Sequence, residues 1–481
     1  MGNIIAPMSD LKGMKPIGIM MGAILICVIV TWGFYTNRVE ATKQKAETAD
    51  EEERYSDEAE ALLELARLEP WRKELPGMAA GAFFLAGDFD NAAVWYSKAL
   101  ASMPLGQTAK FQYGLVLSRI GKPEEARSVL SSINPLLELT GPETQELSQV
   151  WRNLGNPEVA LYVLEEWLSN GDLPATEMGW DYAVLSAVLN SESALPVIMS
   201  VSSDIPQLRE KLTPLITILN STGHKDPARW TGVGRYLFEN LEWDLAEIAF
   251  KQVIHLKPSD SESWAMLGQS KLMQGKEGYP DLVKANEIND RSRLGRYFLA
   301  KYWRDRGQVS ISRNYLESLS SEEPREPLWL LELGKTAYAA GDTSGALEYF
   351  QSAANLDQDN LTSWQSLAEF CLLNGIDLEG TGETAVQRSL LIAPDDPVSN
   401  DLMGWLLLSR GDPDNALKFL KKSVAAENSS ARSRLHLAQA FWGVGDAESA
   451  RQEFQAALTL DPEGSVGLAA GRLLNQYFPG N

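Results

Sequence analysis

The sequence predicts an all-α protein, a right-handed superhelical solenoid of antiparallel helix pairs behind a single N-terminal transmembrane helix. Two observations predict it. Small and aromatic residues recur 34 residues apart, as from Trp230 to Trp264, Gly234 to Gly268, Gly334 to Ala368 and Gly404 to Ala438. A period of that size marks a repeated helix–turn–helix unit. Upstream, the 19 residues from Ile17 to Tyr35 carry no charge.

Taking the chain in order, residues 1–16 form a short tail with Lys12 and Lys15. The uncharged run 17–35 would span about 28 Å as a helix, enough for a bilayer core. Trp32, Phe34 and Tyr35 crowd its far end, as interfacial aromatics do. A cleavable signal peptide would have a shorter apolar core followed by small residues, and here bulky aromatics follow instead. The run is therefore expected to be an uncleaved anchor. Gly18 and Gly22 form a G-x-x-x-G pair, the one hint of a homodimer through this helix. The lysines before the span place the N-terminus in the cytoplasm and the large domain on the extracytoplasmic side of an inner membrane.

Residues 36–70 are charged, contain the acidic run Asp50-Glu51-Glu52-Glu53, and read as a solvated helical stalk. A divergent repeat lobe is expected over 71–174, where Gly87, Ala92, Tyr96 and Ala99 form one unit and Gly114, Gly121 and Ala126 the next. The pattern fades over 175–226, which contains Pro196, Pro206 and Pro214 and reads as a degenerate helical spacer. A regular lobe follows over 227–464, and a capping helix over 465–481 with Leu468, Leu473, Leu474 and Phe478 inward. Gly or Ala at the crossing lets two helices approach closely. Gly341, Gly411 and Gly445 sit where the first helix must end in a tight turn. Asp342, Asp412 and Asp446 follow them and can start the second helix by accepting its orphan N–H groups.

Composition excludes several function classes. A net charge of -22 argues against general nucleic-acid binding, since phosphates are repelled overall. Two cysteines, Cys27 and Cys371, give neither a disulfide framework nor a zinc site. The three histidines, His224, His255 and His436, lack helical pair spacing, so no metal is expected. No phosphate loop, nucleophile elbow or zinc-protease motif occurs, and neither catalytic residues nor cofactors are expected. Glycines in 375–382 read as a lengthened turn.

The repeated positions resemble the tetratricopeptide motif. In that motif the first helix (A) carries Trp, Leu-Gly and an aromatic. The second (B) carries Ala, an aromatic and Ala, and Pro closes the unit. One unit has Trp230, Gly234, Ala246, Phe250 and Pro258; another has Leu333-Gly334, Gly341, Ala346, Phe350 and Ala353; the last has Leu437-Ala438, Phe441, Gly445, Ala450, Phe454, Ala457 and Pro462. Trp230, Trp264 and Trp303 fall on core positions of the motif, and Cys371 on its aromatic position.

The resemblance implies a bacterial-type anchored repeat protein whose A helices line a concave, peptide-binding groove. One residue after the motif Gly, the groove positions are Arg235, Gln269, Lys301, Lys335, Glu369, Trp405 and Gln439, with Arg304 and Trp442 one turn further on their helices. The basic members could hold an acidic segment or a C-terminal carboxylate. The alternative is that they pair with carboxylates of neighbouring units. The implied function is a non-enzymatic scaffold in envelope assembly, secretion or polysaccharide export. A non-catalytic subunit of a membrane enzyme complex or a self-assembling structural protein are the alternatives.

Overall fold

The computed structural model describes residues 16–133, 139–169, 174–189, 193–426 and 430–479. These residues form α-helices joined by short turns and one π-helical turn, with no strand among them. The chain divides into two compact units, residues 1–224 and 225–481. Each is a stack of antiparallel helix pairs in which successive helices pack on one another.

The first unit opens with one continuous helix, Pro16–Glu51, which carries the apolar run directly into the charged segment. No helix of the described residues is long and apolar enough to cross a membrane. The transmembrane helix expected over 17–35 is therefore not found as such. Its first residues, Gly18 and Gly22 included, lie outside those whose side chains are described.

The helix stops at the acidic run, where carboxylates oppose the negative end of its dipole. Glu53 then takes a left-handed conformation with φ 55°. The chain returns as Tyr55–Leu68, so the expected stalk is a hairpin. The two helices pack on one another, with Thr42, Ala46 and Ala49 buried on the first and Ala59, Ala61, Leu62 and Leu65 on the second. A buried i, i+4, i+7 row is what one face of a helix provides.

The region expected to be a spacer holds three helices, Thr176–Leu189, Ala194–Asp204 and Pro206–Ser221. Pro206 is tolerated because it occupies a helix start, where a missing N–H costs nothing. The second unit runs from Pro227–Glu239 to Ser465–Tyr477. Its last helix buries Gly467 and Ala470 and lays Leu473, Leu474 and Phe478 against the preceding pair. Leu468, expected inward, is 51% exposed because it falls on the opposite face.

Candidate functional site

The geometry of each repeat follows from a few residues. A Cβ added at Gly234 would sit 2.9 Å from the Phe250 ring, and one at Gly334 would sit 3.1 Å from Phe350. At Gly404 it would overlap Leu420. The A and B helices therefore cross at a contact that only a missing side chain permits. Gly341, Gly411 and Gly445 adopt φ of 80°, 72° and 83° at the turn. Asp342 and Asp446 then accept from the N–H groups of Gly345 and Ser449 at 2.9 and 3.1 Å. These devices fold an A helix closely onto its B helix in the repeats that carry them.

All the expected groove residues lie on A helices of this unit. Arg235 is on Pro227–Glu239, Gln269 on Ser261–Met273, Lys301 and Arg304 on Arg293–Asp305, and Lys335 on Pro327–Ala339. Trp405 is on Pro397–Ser409, and Gln439 and Trp442 are on Ala431–Gly443. Their availability differs. Gln269 is buried and cannot meet a ligand, whereas Gln439 is half-buried.

Three of the four cations already have carboxylate partners. Arg235 Nη2 lies 2.8 Å from Glu262 on the next A helix. Arg304 Nη1 donates to Glu332 Oε2 at 2.6 Å, and Lys335 Nζ to Glu332 Oε1 at 2.7 Å. Glu332 is only 2% exposed. Burial alone would raise its pKa, but the charges of Arg304 and Lys335 outweigh that and hold it below its ordinary value. The locally inverted charge is thus largely balanced within the protein. Lys301 is different: half-buried above the Tyr297 ring at 5.8 Å, it has no ion pair among the described residues.

The aromatic positions are also partnered. Trp405 lies against His436, with ring centroids 4.9 Å apart. His436 Nδ1 is 2.9 Å from Asp401 Oδ1, and Arg432 lies 3.1 Å from the other oxygen without the alignment of a hydrogen bond. Arg432 also reaches Glu369 at 2.6 Å. Glu369, Asp401 and Arg432 belong to three consecutive A helices, so this cluster fastens them together. Trp442 stacks on Tyr477 of the final helix at 4.2 Å, with Phe478 at its edge.

Tyr338, which the sequence reading passed over, occupies in its own repeat the position of Arg304 and Trp442. It is 41% exposed and meets Phe370 edge-on at 5.4 Å. The signal was its place four residues after Gly334. Two expected core residues are only half-buried: Trp264, whose Nε1 donates to the Pro258 carbonyl at 2.9 Å, and Trp303, which packs against Tyr279 and Tyr302. Cys371 is fully buried, and burial pushes its thiol up to about 11. The turn after it ends at Gly375 with φ 63° and is closed by Asp377 accepting from Thr381 N–H at 2.8 Å. No cluster of three metal-ligating side chains occurs among the described residues.

Residues 299–360 and 407–470 match family models described as tetratricopeptide repeat. No curated protein matches the chain in sequence. Among solved structures, yeast Tom70 is 13% identical, with a TM-score of 0.45 over 92% of this chain and 96% of that one. The Cut9 complex with Hcn1 of the APC/C is 14% identical, with a TM-score of 0.42 over 93% and 92%. A thermophilic repeat protein of Thermus thermophilus is 19% identical, with a TM-score of 0.33 over 38% and 99%. The repeats rest on the two matched segments and on the crossing, turn and cap geometry around them, which show that this chain carries tetratricopeptide repeats.

Proposed function

We propose that the chain is a membrane-anchored scaffold that holds a partner protein along the A helices of residues 225–481. Tetratricopeptide repeats are protein-binding in general, and the observation that carries the site is the accessibility of Lys301 and Tyr338. They lie on neighbouring A helices joined by the Arg304–Glu332 pair, within a matched repeat segment. A cation without a carboxylate partner and an exposed aromatic on successive A helices suit a peptide with an acidic group and an apolar side chain. The other cations already have carboxylate partners within the protein.

The anchor is proposed from the first helix. Met21, Ile24, Leu25, Ile26, Val28, Ile29 and Phe34 are each more than half exposed, and at helical spacing they are spread around the helix. Apolar side chains exposed all round are costly in water and favourable in lipid. With Lys12 and Lys15 on the cytoplasmic side, the repeats would face outward, in keeping with a role in envelope assembly, secretion or polysaccharide export.

The test is affinity purification of the full-length protein from detergent-solubilised native membranes, beside a Lys301→Glu/Tyr338→Ser variant that leaves the internal ion pairs intact. Loss of a defined set of partners from the variant is the expected result. An unchanged set removes the groove from the proposal.

A further inference from the structure

We infer that the turn between Leu68 and Leu75 is a second membrane contact, seated in the headgroup layer of an anionic bilayer beside the first helix. The inference rests on the anchor reading above and adds to it a surface of the folded repeats. Tyr35, the last residue of the apolar run, donates its hydroxyl to the Leu68 carbonyl at 2.9 Å. One turn further along, Arg38 pairs with Glu64 at 2.7 Å. These two contacts fix the end of Tyr55–Leu68 at the level where the apolar segment stops. The turn that follows, Glu69-Pro70-Trp71-Arg72-Lys73-Glu74, is therefore held at the same level.

The chemistry of that turn suits an interface. Trp71 is 63% exposed, and Met78, one turn into the next helix, is 50% exposed. Both of the turn's acids are taken by Arg72, which lies 3.5 Å from Glu69 and 2.8 Å from Glu74. Arg67 and Lys73 stay exposed and form no ion pair among the described residues. Removing the acids from play leaves an indole flanked by two cations, in a chain whose net charge is -22. Indoles prefer the headgroup region, and each cation near an anionic surface adds attraction. The neighbouring turn continues the surface: Gly77 lies against Leu105, and Met103 beside it is 38% exposed. With helix pairing on one side and lipid contact on the other, the first repeats would be seated on the bilayer at a fixed angle.

The experiment uses the full-length protein in phosphatidylcholine vesicles containing phosphatidylglycerol, with an environment-sensitive fluorophore at one of two places. Native Cys27 is exposed and reports on the anchor, while Cys371 is buried and stays unlabelled. The second label is placed by Pro70→Cys, an exposed position of the same turn, in a Cys27→Ser background. Spin-labelled lipids quench from the headgroup or from deep in the chains. The expected result is deep quenching at position 27, headgroup quenching at position 70, and loss of the latter on adding Trp71→Ser. Quenching at 27 with none at 70 overturns this inference and leaves the anchor standing. No quenching at 27 removes the anchor and this inference with it. Headgroup quenching at 70 that Trp71→Ser leaves unchanged overturns the seat given to Trp71.

Discussion

The two units solve one packing problem with different degrees of regularity. In residues 225–481 the helix crossing is made by Gly234, Gly334 and Gly404, and both matched repeat segments lie there. In residues 1–224 Gly114 plays that part against Leu130. One pair further on, Ser148 takes the crossing and satisfies its hydroxyl on the Ala160 carbonyl at 3.2 Å. What both units keep is a cation late in one A helix bound to a carboxylate of the next. Arg119 pairs with Glu146, and Arg152 with Asp181, as Arg235 does with Glu262 and Arg304 with Glu332. Glycine is therefore not the only small residue that serves the crossing. The A-to-A ion pair recurs at these four junctions, beside the packing of each B helix on the A helix that follows.

The crossing and the buried clasp give the largest expected effects. Gly404→Ala and Gly114→Ala should each destabilise their unit by about 1–3 kcal/mol through overpacking, read as a lower urea midpoint. Adding Leu420→Val to the first should recover part of the loss. Equal tolerance of Ala at both glycines would end the claim that close approach is required.

The buried clasp comes next. Glu332→Ala leaves the largely buried Arg304 with only the exposed Asp305, 3.8 Å away, and about 3 kcal/mol should be lost in the same assay. Glu247 sharpens the pH dependence. Its burial opposes ionisation, but hydrogen bonds from Lys251, Lys276 and Gln274 lower its pKa from 4.5 to about 2. A depressed carboxyl stabilises the fold above its unfolded pKa and loses that contribution as pH falls through the folded one. Stability should therefore fall between pH 4.5 and about 2, and Glu247→Gln should flatten that part of the curve. A wild-type slope in the variant would mean other carboxylates carry the effect.

Smaller effects test the caps and the exposed clasp. Asp446→Ala removes the bond to Ser449 N–H and should cost about 1 kcal/mol. Arg235→Ala breaks a pair in which both side chains are about half exposed. It should cost less than about 1 kcal/mol, with the difference vanishing in high salt. A large, salt-resistant loss would show that exposed and buried clasps are equivalent.

The repeat was legible because its period, its glycines and its cap aspartates are local or evenly spaced signals. Gly341 with Asp342 can be read without knowing what packs on them. The clasps were not legible, because Arg235 and Glu262 are separated by 27 residues, and Arg304 and Glu332 by 28. Those separations match no helical period, and only the offset between neighbouring A helices brings them together. That the groove cations pair with carboxylates of neighbouring units could be stated as an alternative from the sequence, but which cations and which carboxylates could not. Trp303 was misjudged for a related reason, since its aromatic neighbours come from two different helices. The hairpin of Pro16–Glu51 with Tyr55–Leu68 was hidden because no Gly or Pro marks its turn, and charge at a helix end made it instead.

In the second unit each B helix packs on its own A helix and also on the A helix that follows, whereas the B helices have little contact with one another. The stack is thus a continuous zigzag, in which a bend between two repeats must open a B-to-A seam as well as any A-to-A pair there, such as Arg304–Glu332 or His436–Asp401. A deformation of one repeat is therefore handed to its neighbour through packed side chains and not absorbed at a hinge.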